Sequence, residues 1–281
     1  MSKLNREYKN SMFKDLFTDK PEVLKLYNAL TGSHFTLDDE LHFTTLESAL
    51  FMDRLNDISF TIGDKLVVLI EHQSSINENM PLRALIYIAR VYERIIDKRT
   101  IYRSTLVTIP KPEFYVLYNG AKDYADEVTI KLSDAFKYAD NIDAGKLPAL
   151  DLSIHVLNIN KGHNEEMIKK CETLRGYAVF IGKVRDKQQE GLPLQDAITT
   201  AIDFCVENNI LVEYLENNSS EVRNMIFTEF NIEEAKEIWF EEGMEKGMEK
   251  MARGLLANGV PPDIIARSSG LPLDVVKTMM N

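Results

Sequence analysis

Apolar residues in the first 160 positions fall into two spacings. Residues 21–30 place them three and four apart. Pro21 stands in the first turn, Asp19 or Thr18 can cap its start and Gly32 follows its end, so a helix is predicted there. Residues 57–62 (DISFTI) alternate polar and apolar, and residues 65–71 (KLVVLIE) are almost continuously apolar. They predict a β-hairpin through Gly63-Asp64 whose second strand is buried on both faces. A strongly periodic helix is predicted from Pro81 to about Lys98. Two further strands are predicted at 114–118, ending in Asn119-Gly120, and at 152–159. Strands interleaved with helices predict an α/β core over residues 1–160, a mixed sheet flanked by helices.

From about Glu165 onward the patterns are helical only, with helices suggested near 165–188, 193–208 and 219–229. They predict a helical appendage over residues 161–240 and a helical tail over 241–281, together a C-terminal all-α region. Gly-Met-Glu-Lys occurs at 243–246 and again at 247–250, which sets both glycines on one helical face. A solvated helix with Glu/Lys pairs is one reading, and close packing of C-terminal helices in a homodimer is the other. The spacing from Ala252 through Gly259, Ile264 and Gly270 to Val276 is that of a helix-turn-helix. Its second helix, 272–280, has Lys277 as its one basic residue, which suits a packing or oligomerisation element better than a reader of the major groove.

Charge narrows the field of partners. The net charge of −11 opposes broad electrostatic attraction to nucleic acid. Residues 1–110 hold 14 Lys and Arg against 15 Asp and Glu, so almost all of the excess lies beyond them. A nucleic-acid surface is therefore expected in the first half. The N-terminus is polar, and the longest aliphatic run, residues 66–70, is far shorter than the roughly 20 residues of a membrane span. Cys171 and Cys205 are the only cysteines and form no CxxC pair. A protein of the reducing cytoplasm, with no membrane partner, is expected. No HExxH pattern, phosphate-cradling GxxxxGK[ST] loop or GxSxG elbow occurs, so zinc hydrolase, NTP-driven and serine hydrolase chemistries lack support.

Candidate chemistry gathers at Asp57 and at Glu71-His72-Gln73. Acids at the open ends of two hairpin strands lie side by side and can share one Mg²⁺, which is typically anchored by one or two carboxylates with phosphate and water completing the shell. A polar group two residues after the Glu shares its strand face and can orient a water, and Gln73 occupies that place. His72 should face the other way and line the sheet. Register decides whether such a site exists. A two-residue turn at Gly63-Asp64 would set Asp57 opposite Ile70, whereas a three-residue connection, 63–65, pairs Ile62 with Leu66 and Asp57 with Glu71. The longer connection is predicted. On the following helix, Arg83, Tyr87, Arg90, Arg94 and Lys98 fall on one stripe at 100° per residue. A surface for DNA phosphates and a solvated basic face are both compatible with it.

The segments NDISF, IEHQSS, NMPLR and FYVLYNG, with FKDLF near the start, resemble the PD-(D/E)XK nuclease-family transposases, also called recombination-promoting nucleases (Rpn), over roughly residues 5–240. The resemblance implies a restriction-endonuclease-like fold and a divalent-metal-dependent endonuclease of double-stranded DNA that promotes recombination or transposition. It implies Asp57 and Glu71 as metal ligands, the backbone carbonyl of His72 as a further ligand, and Gln73 in place of the usual catalytic lysine. That replacement keeps a second reading open, a non-catalytic DNA-binding or protein-interaction module on the same fold.

Overall fold

The structure, a computed structural model, describes residues 12–43, 58–63, 66–137 and 148–279. Two short N-terminal helices, α1 (Met12–Leu16) and α2 (Lys20–Thr31), precede strands β1 (Leu41–Phe43), β2 (Ile58–Ile62) and β3 (Leu66–Gln73). Helix α3 (Met80–Ile95) leads to β4 (Lys111–Tyr118), β5 (Glu127–Lys131), a 3₁₀ turn and β6 (Ser153–Asn158). Helices α4 (Glu165–Ile168), α5 (Glu172–Gln189), α6 (Leu194–Glu207), α7 (Val212–Ala257), α8 (Pro262–Ser269) and α9 (Leu273–Thr278) complete the described chain.

The expected caps set the limits of α2. The Asp19 carboxylate accepts from the Glu22 N–H at 2.9 Å, and Gly32 ends the helix in a left-handed conformation with φ 70°. The six strands form one sheet in the order β1-β2-β3-β4-β6-β5. β1, β2 and β3 run antiparallel, β3, β4 and β6 run parallel, and β5 pairs antiparallel with β6. The sheet is mixed and flanked by helices, as the alternating patterns predicted.

Each face of the sheet has its own core. On one side Met80, Ala84, Tyr87, Ile88 and Val91 of α3 pack on Phe114, Val116, Tyr118, Ile154 and Val156. On the other, Tyr27 of α2 meets Phe60 edge-on at 5.7 Å, while Phe13 of α1 stacks on the His72 ring at 5.2 Å. Full burial of a large apolar side chain contributes about 1.5–3 kcal/mol, so this double layer dominates the stability of the sheet.

The helices after residue 165 are not set apart from this sheet. Tyr177 of α5 is wholly buried against Phe13 and His72, and Arg185 reaches Asn160 at 3.2 Å. The chain divides into compact units at Ile226/Phe227. That boundary lies inside α7, a 46-residue helix with non-helical backbone at Asn218 (φ −123°, ψ 21°), which also contains the Gly-Met-Glu-Lys repeat. In the second unit, Ala252, Ile265 and Val276 form a small core, and Gly259 and Gly270 turn the chain with φ 78° and 74°. Among the described residues no helix is long and apolar enough to cross a membrane.

Candidate nuclease site

The connection between β2 and β3 has the length that the site requires. Ile62 pairs with Leu66, leaving residues 63–65 between the strands, and the ladder runs back through Thr61–Val67, Phe60–Val68 and Ser59–Leu69 to Ile58–Ile70. Gly63 adopts φ 54°, a left-handed conformation that costs glycine little, and its N–H donates to the Glu40 carbonyl at 2.7 Å. Asp57 lies outside the described residues. The Glu71 backbone is in β3, in register with Val116 of β4.

Alternation along β3 separates the next two residues. Gln73 Nε2 donates to the sulfur of Met80 on α3 at 2.9 Å. Its neighbour His72 turns to the opposite face, where Nε2 lies 3.0 Å from the Tyr177 hydroxyl. The sheet-lining part expected of His72 is what the structure gives it. Burial pushes its pKa down to about 4, Arg185 adds to the lowering, and the Asn119 amide beside the ring works against both. A neutral imidazole results, with Nε2 accepting from the tyrosine.

Two side chains of the basic stripe, Arg83 and Arg90, are partly exposed. The Arg83 guanidinium donates to the same Met80 sulfur as Gln73, at 3.0 Å, so β3 and the first turn of α3 bring an amide and a cation around one atom. Arg90 has a buried Nη1 with no hydrogen-bond partner among the described residues. Arg94 is exposed in the last turn of α3, and Lys98 lies beyond the helix end at Ile95.

Tyr87 departs from the expected DNA-facing stripe. It is 4% exposed, packs in the α3 core, and its hydroxyl lies 2.7 Å from that of buried Ser59 on β2. Its ring completes the apolar face with Ala84, Ile88 and Val91, and Ser59 satisfies the hydroxyl, so tyrosine can be buried without an unpaired polar atom. Tyr87 is a core residue in this structure, not a surface contact.

Pattern reading overlooked the residues that brace the strand ends. Asn119, 3% exposed, donates its backbone N–H to the Gln73 carbonyl at 3.0 Å and its side-chain amide to Tyr177 at 3.4 Å. Asn160 donates to the Gly120 carbonyl at 3.0 Å. Gly120 approaches so closely that a Cβ there would lie 2.0 Å from the Ser74 carbonyl oxygen. An Asn-Gly pair ending an apolar strand was the available signal. Among the described residues no group of three His, Cys, Asp or Glu forms a metal cluster. Cys171 and Cys205 are free and buried, and burial pushes both thiols up to about 11.

The family model described as "Putative transposase, YhgA-like" matches residues 11–208, more than two thirds of the chain. No curated protein and no solved structure matches. The chain belongs to this family, which is the PD-(D/E)XK, Rpn-like transposase group that the sequence resembles.

Proposed function

We propose, from membership of the YhgA-like transposase family, that this protein is a divalent-metal-dependent endonuclease of double-stranded DNA in the cytoplasm, acting in recombination or transposition, on a restriction-endonuclease-like fold. The observation that carries the reading is the β2–β3 register. Carried one step beyond the Ile58–Ile70 pair, the same register would set position 57 opposite position 71, and directly opposed Cβ atoms stand about 4.5–5.5 Å apart. The Asp57 and Glu71 carboxylates would then hold Mg²⁺ or a similar ion, with the His72 carbonyl as a further ligand. Such an ion supplies a water of lowered pKa and offsets charge on the phosphate.

The chain's own groups divide the remaining work. Glu71 and Gln73, two apart on a strand, share a face, and the Gln73 carboxamide orients water by hydrogen bonding. It carries no ammonium proton to give, so cleavage is expected to be slow beside that of a lysine-bearing site. Arg83, held next to Gln73, binds the phosphate under attack, and Arg90 and Arg94 extend the contact along the backbone.

The test is cleavage of supercoiled plasmid in Mg²⁺. Asp57→Ala and Glu71→Ala should each abolish nicking while circular dichroism and melting temperature stay those of the parent. Nicking retained in both variants overturns the metal assignment. DNA binding without cleavage by the parent protein would favour the non-catalytic module that Gln73 also suggests.

A further inference from the structure

A cleft of about 380 Å³ lies among α4, α5, α6 and the loop after β6, within the range of roughly 300–1,000 Å³ typical of small-molecule sites. It is away from Gln73 in sequence and shares no residue with the proposed nuclease site. Ile159 and Ile168 give it an apolar base, Val179 and Gly182 a wall on α5, and Phe204 a wall on α6. Val179 is 37% exposed there, although its neighbours Phe180 and Ile181 are buried. A Cβ added at Gly182 would meet nothing within 4 Å, so this position leaves the cleft open.

The polar rim is mainly cationic in a chain of net charge −11, with Lys161, Lys169, Arg175 and Lys183 against Glu165 and Asp186. Lys169 is paired with Glu166 at 2.9 Å and Glu165 at 3.7 Å, and Arg175 with Glu172 at 3.4 Å. Lys161 and Lys183 have no ion pair among the described residues, and Lys183 Nζ sits 4.3 Å above the Phe204 ring. The third polar element is His163, whose Nδ1 lies 2.6 Å from the Asp126 carboxylate. An apolar base with a few convergent polar groups defines the chemistry of the occupant.

We propose that this cleft binds a small amphipathic anion, its apolar body against Ile159, Val179 and Phe204 and its single carboxylate or phosphate on Lys161 and Lys183. The aromatic contact of Lys183 is exchanged for the anion on binding.

Calorimetry on the full chain with octanoate, octyl phosphate and 1-octanol tests it, the two anions separating a carboxylate preference from a phosphate one. Either anion should bind, and at least tenfold more tightly than the alcohol. Lys161→Gln and Lys183→Met should each weaken the anion about tenfold and leave the alcohol unchanged. Gly182→Leu should fill the cleft, abolish binding of all three and leave the melting temperature at or above that of the parent. Equal affinity for anion and alcohol, no binding at millimolar concentrations, or undiminished binding by Gly182→Leu overturns the proposal. A fall in melting temperature with Gly182→Leu, without binding by the parent, would show that the chain itself fills the cleft, and overturns it equally.

Discussion

Replacing His72 by Phe should remove a pH dependence that the fold builds into its central strand. The imidazole has an ordinary pKa of 6.5 and is held down to about 4 in the native protein, first by burial and then by the charge of Arg185. An unfolded chain therefore takes up a proton at this residue between those values, and the native chain does not. Stability should be full above about pH 6.5 and fall as the pH drops toward 4, with the loss reaching about 2.5 kcal/mol by pH 4.5. Phenylalanine keeps the stacking on Phe13 but leaves the Tyr177 hydroxyl without its imidazole partner, which costs roughly 1–2 kcal/mol at pH 8. Urea titrations read by hydrogen exchange in peptides spanning 66–73 and 111–118 report on this sheet and not on the C-terminal helices. The parent should lose stability steeply from pH 6.5 to 4.5, and His72→Phe should lose less, so that the two curves converge. Parallel curves across that interval would refute the assignment of a partly buried, neutral histidine.

Gly120→Ala should cost roughly 3 kcal/mol, because the new methyl would lie 2.0 Å from a backbone oxygen and 2.4 Å from the Tyr118 hydroxyl. A melting temperature within about 2 °C of the parent would contradict it. Tyr87→Phe should lower stability by about 1 kcal/mol through loss of the bond between the Ser59 and Tyr87 hydroxyls and leave DNA affinity unchanged. Arg83→Ala should weaken DNA binding and reduce its salt slope by about one, and a filter-binding series in salt distinguishes the two variants.

Local signals were legible wherever one residue's chemistry fixed the backbone. Asp19 and Gly32 bound α2, and the demand that two acids share a face predicts the three-residue connection that the pairing of Ile62 with Leu66 leaves. Tyr87 was misassigned because helical spacing groups it with the arginines, while its amphipathic ring lets it join the core once Ser59 receives the hydroxyl. β5 alternates in exposure over Glu127–Lys131 but is only five residues long, and β1 has three, so each depends on its neighbour for pairing. Helices α4 to α6 looked separate in sequence because nothing local marks Tyr177 as the partner of His72, 105 positions away. Asp57 lies outside the described residues, and the carboxylate pair itself stands as a proposal.

Gly120 and Gln73 stand close together at the ends of adjacent strands yet answer to different constraints. Any side chain at 120 collides with the Ser74 carbonyl, whether or not the protein cuts DNA. Positions 57, 71 and 73 are held, on the proposed mechanism, only by chemistry. In gene copies that drift after selection for cleavage ends but still require a folded product, substitutions should accumulate first at the acids and the glutamine, while glycine persists at 120. The two kinds of position thus separate decayed enzymes from decayed folds, and they do so from sequence alone.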